Sequence, residues 1–168
     1  MSLAVNQSKR NFLRGRKPLP TPKYRLPWIT SEQHFINDCT QCGDCISACP
    51  EQIIVKGDDG FPTIDFAKGE CTFCEDCISS CKEPLFISER SVKAWPSHFN
   101  IKDNCLAKND VFCQSCRDVC DSRAITFSYA KGPIPTPVIE QSNCNSCGAC
   151  ISTCPTDSTE LILIQELT

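Results

Sequence analysis

Cys39-Thr-Gln-Cys42-Gly-Asp-Cys45-Ile-Ser-Ala-Cys49-Pro50 is the stretch from which the rest of the chain can be read. It recurs as Cys71-Thr-Phe-Cys74-Glu-Asp-Cys77-Ile-Ser-Ser-Cys81 and as Cys144-Asn-Ser-Cys147-Gly-Ala-Cys150-Ile-Ser-Thr-Cys154-Pro155. A further block departs from the others. Cys105 is followed by seven residues, not two, before Cys113-Gln-Ser-Cys116-Arg-Asp-Val-Cys120. Four blocks of four thus use all 16 cysteines of the chain. The first two blocks are separated by 21 residues and the last two by 23, so the blocks pair into two units, a duplication of one structural element.

Cys-x2-Cys-x2-Cys-x3-Cys-Pro is the spacing that binds a cubane [4Fe-4S] cluster. Gaps of two residues wrap a loop around one cube so that three thiolates reach three irons, and the fourth cysteine, beginning a short helix, faces the neighbouring cube. On the two-cluster ferredoxin pattern the expected ligand sets cross between blocks: Cys39, Cys42, Cys45 and Cys81; Cys71, Cys74, Cys77 and Cys49; Cys105, Cys113, Cys116 and Cys154; Cys144, Cys147, Cys150 and Cys120. Zinc fits less well, because it takes two Cys-x2-Cys knuckles set well apart and has no use for a third cysteine two residues on. Disulfides need an oxidising compartment. Three or four clusters per chain are expected, since the long loop after Cys105 can weaken one site. Blocks two and three have Lys82 and Asp121 in place of the following proline, which predicts greater exposure of their cubes.

Composition agrees with a metal-held core. Apolar residues make up 40% of the 168 positions, but only about 30% once the cysteines are set aside, a thin supply for a chain of this length. The predicted class is α+β, a duplicated bacterial ferredoxin-like fold with short helices and hairpins around the clusters. Ile53-Ile54-Val55 and Phe61-Pro62-Thr63-Ile64 flank a Lys56-Gly57-Asp58-Asp59-Gly60 turn, and Ala124-Ile125-Thr126-Phe127 with Val138-Ile139-Glu140 forms its counterpart. Leu161-Ile162-Leu163-Ile164 reads as a closing strand or a helical run. The domain reading is a basic, disordered arm over 1–30, a first bicluster unit over 31–88, a connection over 89–104 and a second bicluster unit over 105–168.

Several functions are disfavoured. There is no apolar run long enough to span a membrane, and neither Gly-x4-Gly-Lys nor Gly-x-Gly-x-x-Gly occurs. The radical-SAM spacing Cys-x3-Cys-x2-Cys is missing too. His34 and His98 are too few for an acid-base constellation, and Trp28, Trp95 and Tyr129 read as packing groups. No substrate-catalytic set is seen, so an enzyme is not expected. Charge is unevenly placed: Lys9, Arg10, Arg14, Arg16, Lys17, Lys23 and Arg25 give +7 before the first acid, Glu32, and the remainder carries 10 basic against 20 acidic residues. A basic arm on an acidic body is not a nucleic-acid-binding surface, which needs its positive charge on a folded face. Four oxidised cubes would move the formal charge of -3 to about -11.

Ser8-Lys9-Arg10-Asn11-Phe12-Leu13-Arg14 is similar to the start of a twin-arginine export signal, but Gly15-Arg16-Lys17-Pro18-Leu19-Pro20-Thr21-Pro22 follows where an apolar stretch and cleavage site belong. The expectation is a cytoplasmic, unprocessed protein. The arm is either a solubilising tail or a docking segment in which Arg10, Phe12, Leu13 and Arg14 are candidate partner-binding residues.

Lys9 to Arg16, then Arg25-Leu26-Pro27-Trp28, then Gly60-Phe61-Pro62 leading through Asp65-Phe66 to Gly69-Glu70-Cys71-Thr72-Phe73-Cys74 resembles the NapF ferredoxin-type proteins, accessory proteins of the periplasmic nitrate reductase system. The likeness covers nearly the whole chain, the wide Cys105 to Cys113 gap included; Lys9 stands where an arginine is more usual. It implies an iron-sulfur protein that meets the nitrate reductase catalytic subunit in the cytoplasm and helps install or reduce its cluster before export. An electron carrier or electron-transfer subunit is the alternative.

Overall fold

The computed structural model describes residues 24–130 and 132–164. The first unit contains α1 (Glu32–Asp38), α2 (Asp44–Ala48), a hairpin of β1 (Ile54–Lys56) and β2 (Pro62–Ile64), and α3 (Asp76–Ser79). The second contains β3 (Ser97–Ile101), a 3-10 turn (Leu106–Asn109), α4 (Ser115–Asp118), a hairpin of β4 (Ile125–Ser128) and β5 (Thr136–Ile139), α5 (Ala149–Ser152) and β6 (Thr159–Leu163). Helix, hairpin, helix is therefore the repeated motif. Both hairpins are antiparallel, with Ile54 opposite Ile64 and Ile125 opposite Ile139, so the same isoleucine pair marks both units. Helices of four or five residues are too short to persist alone, so packing must hold them.

Two boundaries and one packing assignment differ from the sequence reading. Residues 97–101, assigned to the connection, form β3 and pair antiparallel with β6, Phe99 opposite Leu161. The alternation of buried Ser97, Phe99 and Ile101 with outward His98 and Asn100 is a strand pattern that five residues in a linker do not advertise. Residues 24–30, grouped with the basic arm, belong to the body: Tyr24, Arg25, Leu26 and Trp28 are all buried, and Ile29 bridges to Phe86. Tyr129, read as a packing group, is 65% exposed, whereas Trp28 and Trp95 are buried as expected.

Arg25 explains why the body starts so early. Its guanidinium donates to Glu32 at 2.9 and 3.0 Å and to Asp59 at 2.5 Å, and lies over the rings of Phe35 and Phe61. Burial raises the Asp59 carboxyl most strongly of any one cause, but the Arg25 hydrogen bond and charge together with the Phe61 backbone N–H outweigh it and hold the group below its usual range. One residue thus ties α1, capped by Ser31, to the turn of the first hairpin. The core runs on through an edge-to-face series, Tyr24 on Phe66 at 5.1 Å and Phe66 on Trp95 at 5.4 Å. Trp95 Nε1 donates to the Arg25 carbonyl and Tyr24 donates to the Leu161 carbonyl, so the aromatic core joins the units.

Candidate metal centres

Four cavities each bring four cysteines together, and each draws them from both blocks of a unit. Cys39, Cys42 and Cys45 share one with Cys81. Cys71, Cys74 and Cys77 share another with Cys49. In the second unit Cys144, Cys147 and Cys150 meet Cys120, and Cys105, Cys113 and Cys116 meet Cys154. The walls are otherwise mostly apolar, Leu26, Phe35 and Leu85 around the first and Phe99, Ala149 and Leu161 around the fourth-block cavity. Among the described residues no group of three or more His, Cys, Asp or Glu converges as it would on a single metal ion. Four thiols spread around a shared cavity suit a multi-iron cube, in which each thiolate takes a different iron.

The backbone repeats with the cysteines. The residue before the second cysteine is left-handed at Gln41, Phe73 and Ser146, and the residue after it at Gly43, Glu75 and Gly148. A third left-handed residue follows the fourth cysteine by three positions, at Gln52, Arg123 and Asp157. The exceptions have local causes. The long loop of block three removes the first position, Gln114 takes φ -135 at the second, and block two has Pro84, whose ring fixes a negative φ, at the third. These reversals curl the chain around each cavity and place the third cysteine on the short helix. The fourth cysteine lies just beyond the C-terminal end of that helix and does not begin it, as Cys49 capping α2 shows. From that end it reaches the other block's cavity.

Electrostatics mark the same grouping. As free thiols, Cys45 is pushed up to about 11 and Cys77 to about 12, first by burial and then by neighbouring cysteines that include Cys81 for the former and Cys49 for the latter. Cys116 is likewise raised to about 11, by burial and then by Cys105, Cys113 and Cys154. Four such thiols become thiolates together only with compensating positive charge, which iron provides. Cys154 runs the other way, to about 7. Burial would raise it, but the Ser158 hydroxyl at 3.1 Å and the Ser158 and Thr156 backbone N–H groups outweigh that.

The 4Fe-4S dicluster domain model matches residues 38–83 and 111–158. The chain is 38% identical over 153 residues to the ferredoxin-type protein NapF of Escherichia coli K12, covering 91% of this chain and 93% of that one. It is 40% identical over 158 residues to NapF of Haemophilus influenzae, covering 94% and 84%. The chain belongs to the NapF ferredoxin-type family. NapF relatives are named for a ferredoxin type and not for a reaction, and the domain they share with this chain is one for [4Fe-4S] clusters. A more distant likeness, 33% identity over 148 residues, is to one subunit of an ion-translocating oxidoreductase complex of Methanosarcina acetivorans, and it spans 52% of that protein. No solved structure matches. No helix among the described residues is long and apolar enough to cross a membrane.

For this NapF-type chain the structure brings together all sixteen sequence-selected cysteines in the four crossed sets. Arg10, Phe12, Leu13 and Arg14 lie outside the described residues, as do six of the seven basic residues of the arm, Arg25 being the one that is described. Exposure does not follow the missing prolines: Cys42 and Cys74 are exposed, whereas Cys105 of block three is buried and the remaining cysteines of that block are half-buried. The long loop is itself folded, with Ala107 buried, the Lys108 amine donating to the Ile101 carbonyl and the Asn109 amide to the Cys105 carbonyl. Sequence reasoning missed the hydroxyls beside the sulfurs: Ser122 at 3.4 Å from Cys120, Ser115 at 3.7 Å from Cys113, and Thr156 and Ser158 around Cys154. A Cys-x-Ser/Thr pattern in the second unit was the available signal.

Proposed function

We propose that each cavity holds one [4Fe-4S] cluster through its four cysteines, four clusters per chain, and that the protein serves in the cytoplasm in maturation of the periplasmic nitrate reductase catalytic subunit. The observation that carries the cluster assignment is the convergence of four thiols from two blocks at every cavity. Such a cluster supplies one-electron redox chemistry and exchangeable iron and sulfide. The chain's own residues do the rest. Apolar walls exclude water, the hydroxyls of Ser115, Ser122 and Ser158 hydrogen-bond the sulfurs of the second unit, and exposed Cys42 and Cys74 put the first unit's two sites near the surface. The maturation role is supported by identity to NapF proteins over about nine-tenths of the chain and by the Lys9 to Arg16 stretch.

The partner is then the folded or folding catalytic subunit before export, with Arg10, Phe12, Leu13 and Arg14 as its contacts. Removing residues 1–23 tests this while keeping Tyr24 and Arg25 in the core, and undiminished capture of the catalytic subunit by the shortened chain would refute it. An electron-carrier role is the second reading, favoured by the backbone hydrogen bond from Cys71 to Cys147, which joins a cysteine of one unit's cavity to a cysteine of the other's. Iron-57 loaded into this protein and followed into the cluster-free catalytic subunit separates the two. Transfer of label supports donation, while retention of label together with rapid reduction of the cluster-filled subunit supports the carrier.

A further inference from the structure

The two units are packed through their second and fourth blocks. The Cys71 backbone N–H donates to the Cys147 carbonyl at 2.8 Å, so a cysteine of the second-block cavity is bonded directly to a cysteine of the fourth-block cavity. On either side of Cys147 the contact is fixed. Ser146 is 1% exposed and its hydroxyl meets that of buried Ser97 at 2.8 Å. Gly148 lies against the Phe66 ring so closely that a Cβ there would stand 2.1 Å from a ring carbon. Phe66 cannot give way, being buried and held edge-on by Tyr24 and Trp95. Each of the four cavities is lined entirely from its own unit, so the Cys71–Cys147 hydrogen bond is the bridge between the second-block and fourth-block sites, and within each unit the paired cavities meet through α2 with α3 and α4 with α5.

We infer that the Cys71–Cys147 contact is an electronic junction between the units, and that the four sites form one series in the order first block, second block, fourth block, third block. This rests on the reading that the cavities hold [4Fe-4S] clusters. The step across the junction is a one-electron exchange: the site on one side is oxidised by one electron, the other is reduced by one, and no bond or proton moves. A low-potential one-electron donor such as dithionite supplies the electron. The arrangement makes the first-block and third-block sites the two ends, so that a donor and an acceptor can engage opposite ends of one molecule.

The test is electron paramagnetic resonance of the dithionite-reduced full chain. Cys39→Ala with Cys42→Ala empties the first-block site, leaving the second-block site its neighbour across the junction. Adding Cys120→Ala and Cys144→Ala removes that neighbour, and the spin-spin splitting of the second-block signal should be lost. Adding Cys105→Ala and Cys113→Ala instead should leave it in place. Splitting that survives the first combination, or vanishes equally in the second, overturns the order. A variant with every cysteine retained guards against misfolding. Gly148→Ala should weaken the splitting, whereas Gly43→Ala, at the matching position with φ +85 and nothing within 4 Å of the added Cβ, should not. Equal spectra for the two overturn the junction; if Gly148→Ala alone does not load iron, the same comparison is read on Gly148→Ala with Phe66→Ala, which opens the space. Iron measured on the same samples separates the two ideas: a full complement without inter-unit splitting refutes the junction alone, and a chain without iron refutes the cluster reading.

Discussion

Replacing Arg25 with methionine should destabilise the first unit by about 2 to 3 kcal/mol. Removing one partner of a buried ion pair costs about 3 to 5 kcal/mol where the remaining charge is stranded. Here Asp59 is only 15% exposed but Glu32 is 38% exposed, so the Glu32 carboxylate recovers much of its hydration and the loss falls below that range. The hydrogen bond to the Pro62 carbonyl also goes. Methionine keeps most of the volume between Phe35 and Phe61, which limits the packing loss. At roughly 2 to 4 °C per kcal/mol for a chain of this size, the midpoint should fall by about 4 to 12 °C. The assay is thermal unfolding of anaerobic, cluster-loaded protein at one scan rate, followed by far-UV circular dichroism and cluster absorbance together. Arg25→Lys, which keeps the charge and loses the fork, should fall between. A shift under about 1 °C for Arg25→Met would refute the view that this residue anchors the hairpin to α1.

Tyr24→Phe deletes the donor to Leu161 and should cost about 1 kcal/mol, read as a lower denaturant midpoint with unchanged slope. Gly43→Ala places a Cβ in open space at positive φ and should cost about 1 to 2 kcal/mol of stability with iron retained. Ser158→Ala removes a hydroxyl from Cys154 and should lower the reduction potential of the third-block site, measured by a redox titration, while the other three sites keep theirs. Iron and acid-labile sulfide per chain, on anaerobically prepared protein, should each approach about sixteen; about twelve would leave one cavity unfilled.

Much of this was legible because cysteine spacing is a geometric instruction: two-residue gaps and a fourth cysteine after three more residues led directly to the four crossed sets that meet at the cavities. Both hairpins were legible for a similar reason, a turn between β-branched runs, marked by Gly and Asp in the first and by Gly132-Pro133 in the second. What escaped is non-local. Nothing near Ser97–Ile101 announces a partner some sixty residues away, so β3 looked like linker until paired with β6. Arg25 looked like one more charge in a basic arm because its acids, Glu32 and Asp59, come later in the chain. The contact of Cys71 with Cys147 depends on how two units dock, and the glycine at 148 has the same sequence context as Gly43 while facing Phe66 in place of open space.

The crossed ligand sets are the central claim, and counting intact clusters in two double variants tests them most directly. Cys42→Ala with Cys81→Ala removes two ligands from one cavity, although the residues come from different blocks. Cys74→Ala with Cys81→Ala removes two from the same block but one from each of two cavities. Mössbauer spectroscopy of iron-57-loaded protein should find about three intact [4Fe-4S] clusters per chain in the former and about two in the latter. The reverse order would show that each block holds its own cluster and would contradict the account.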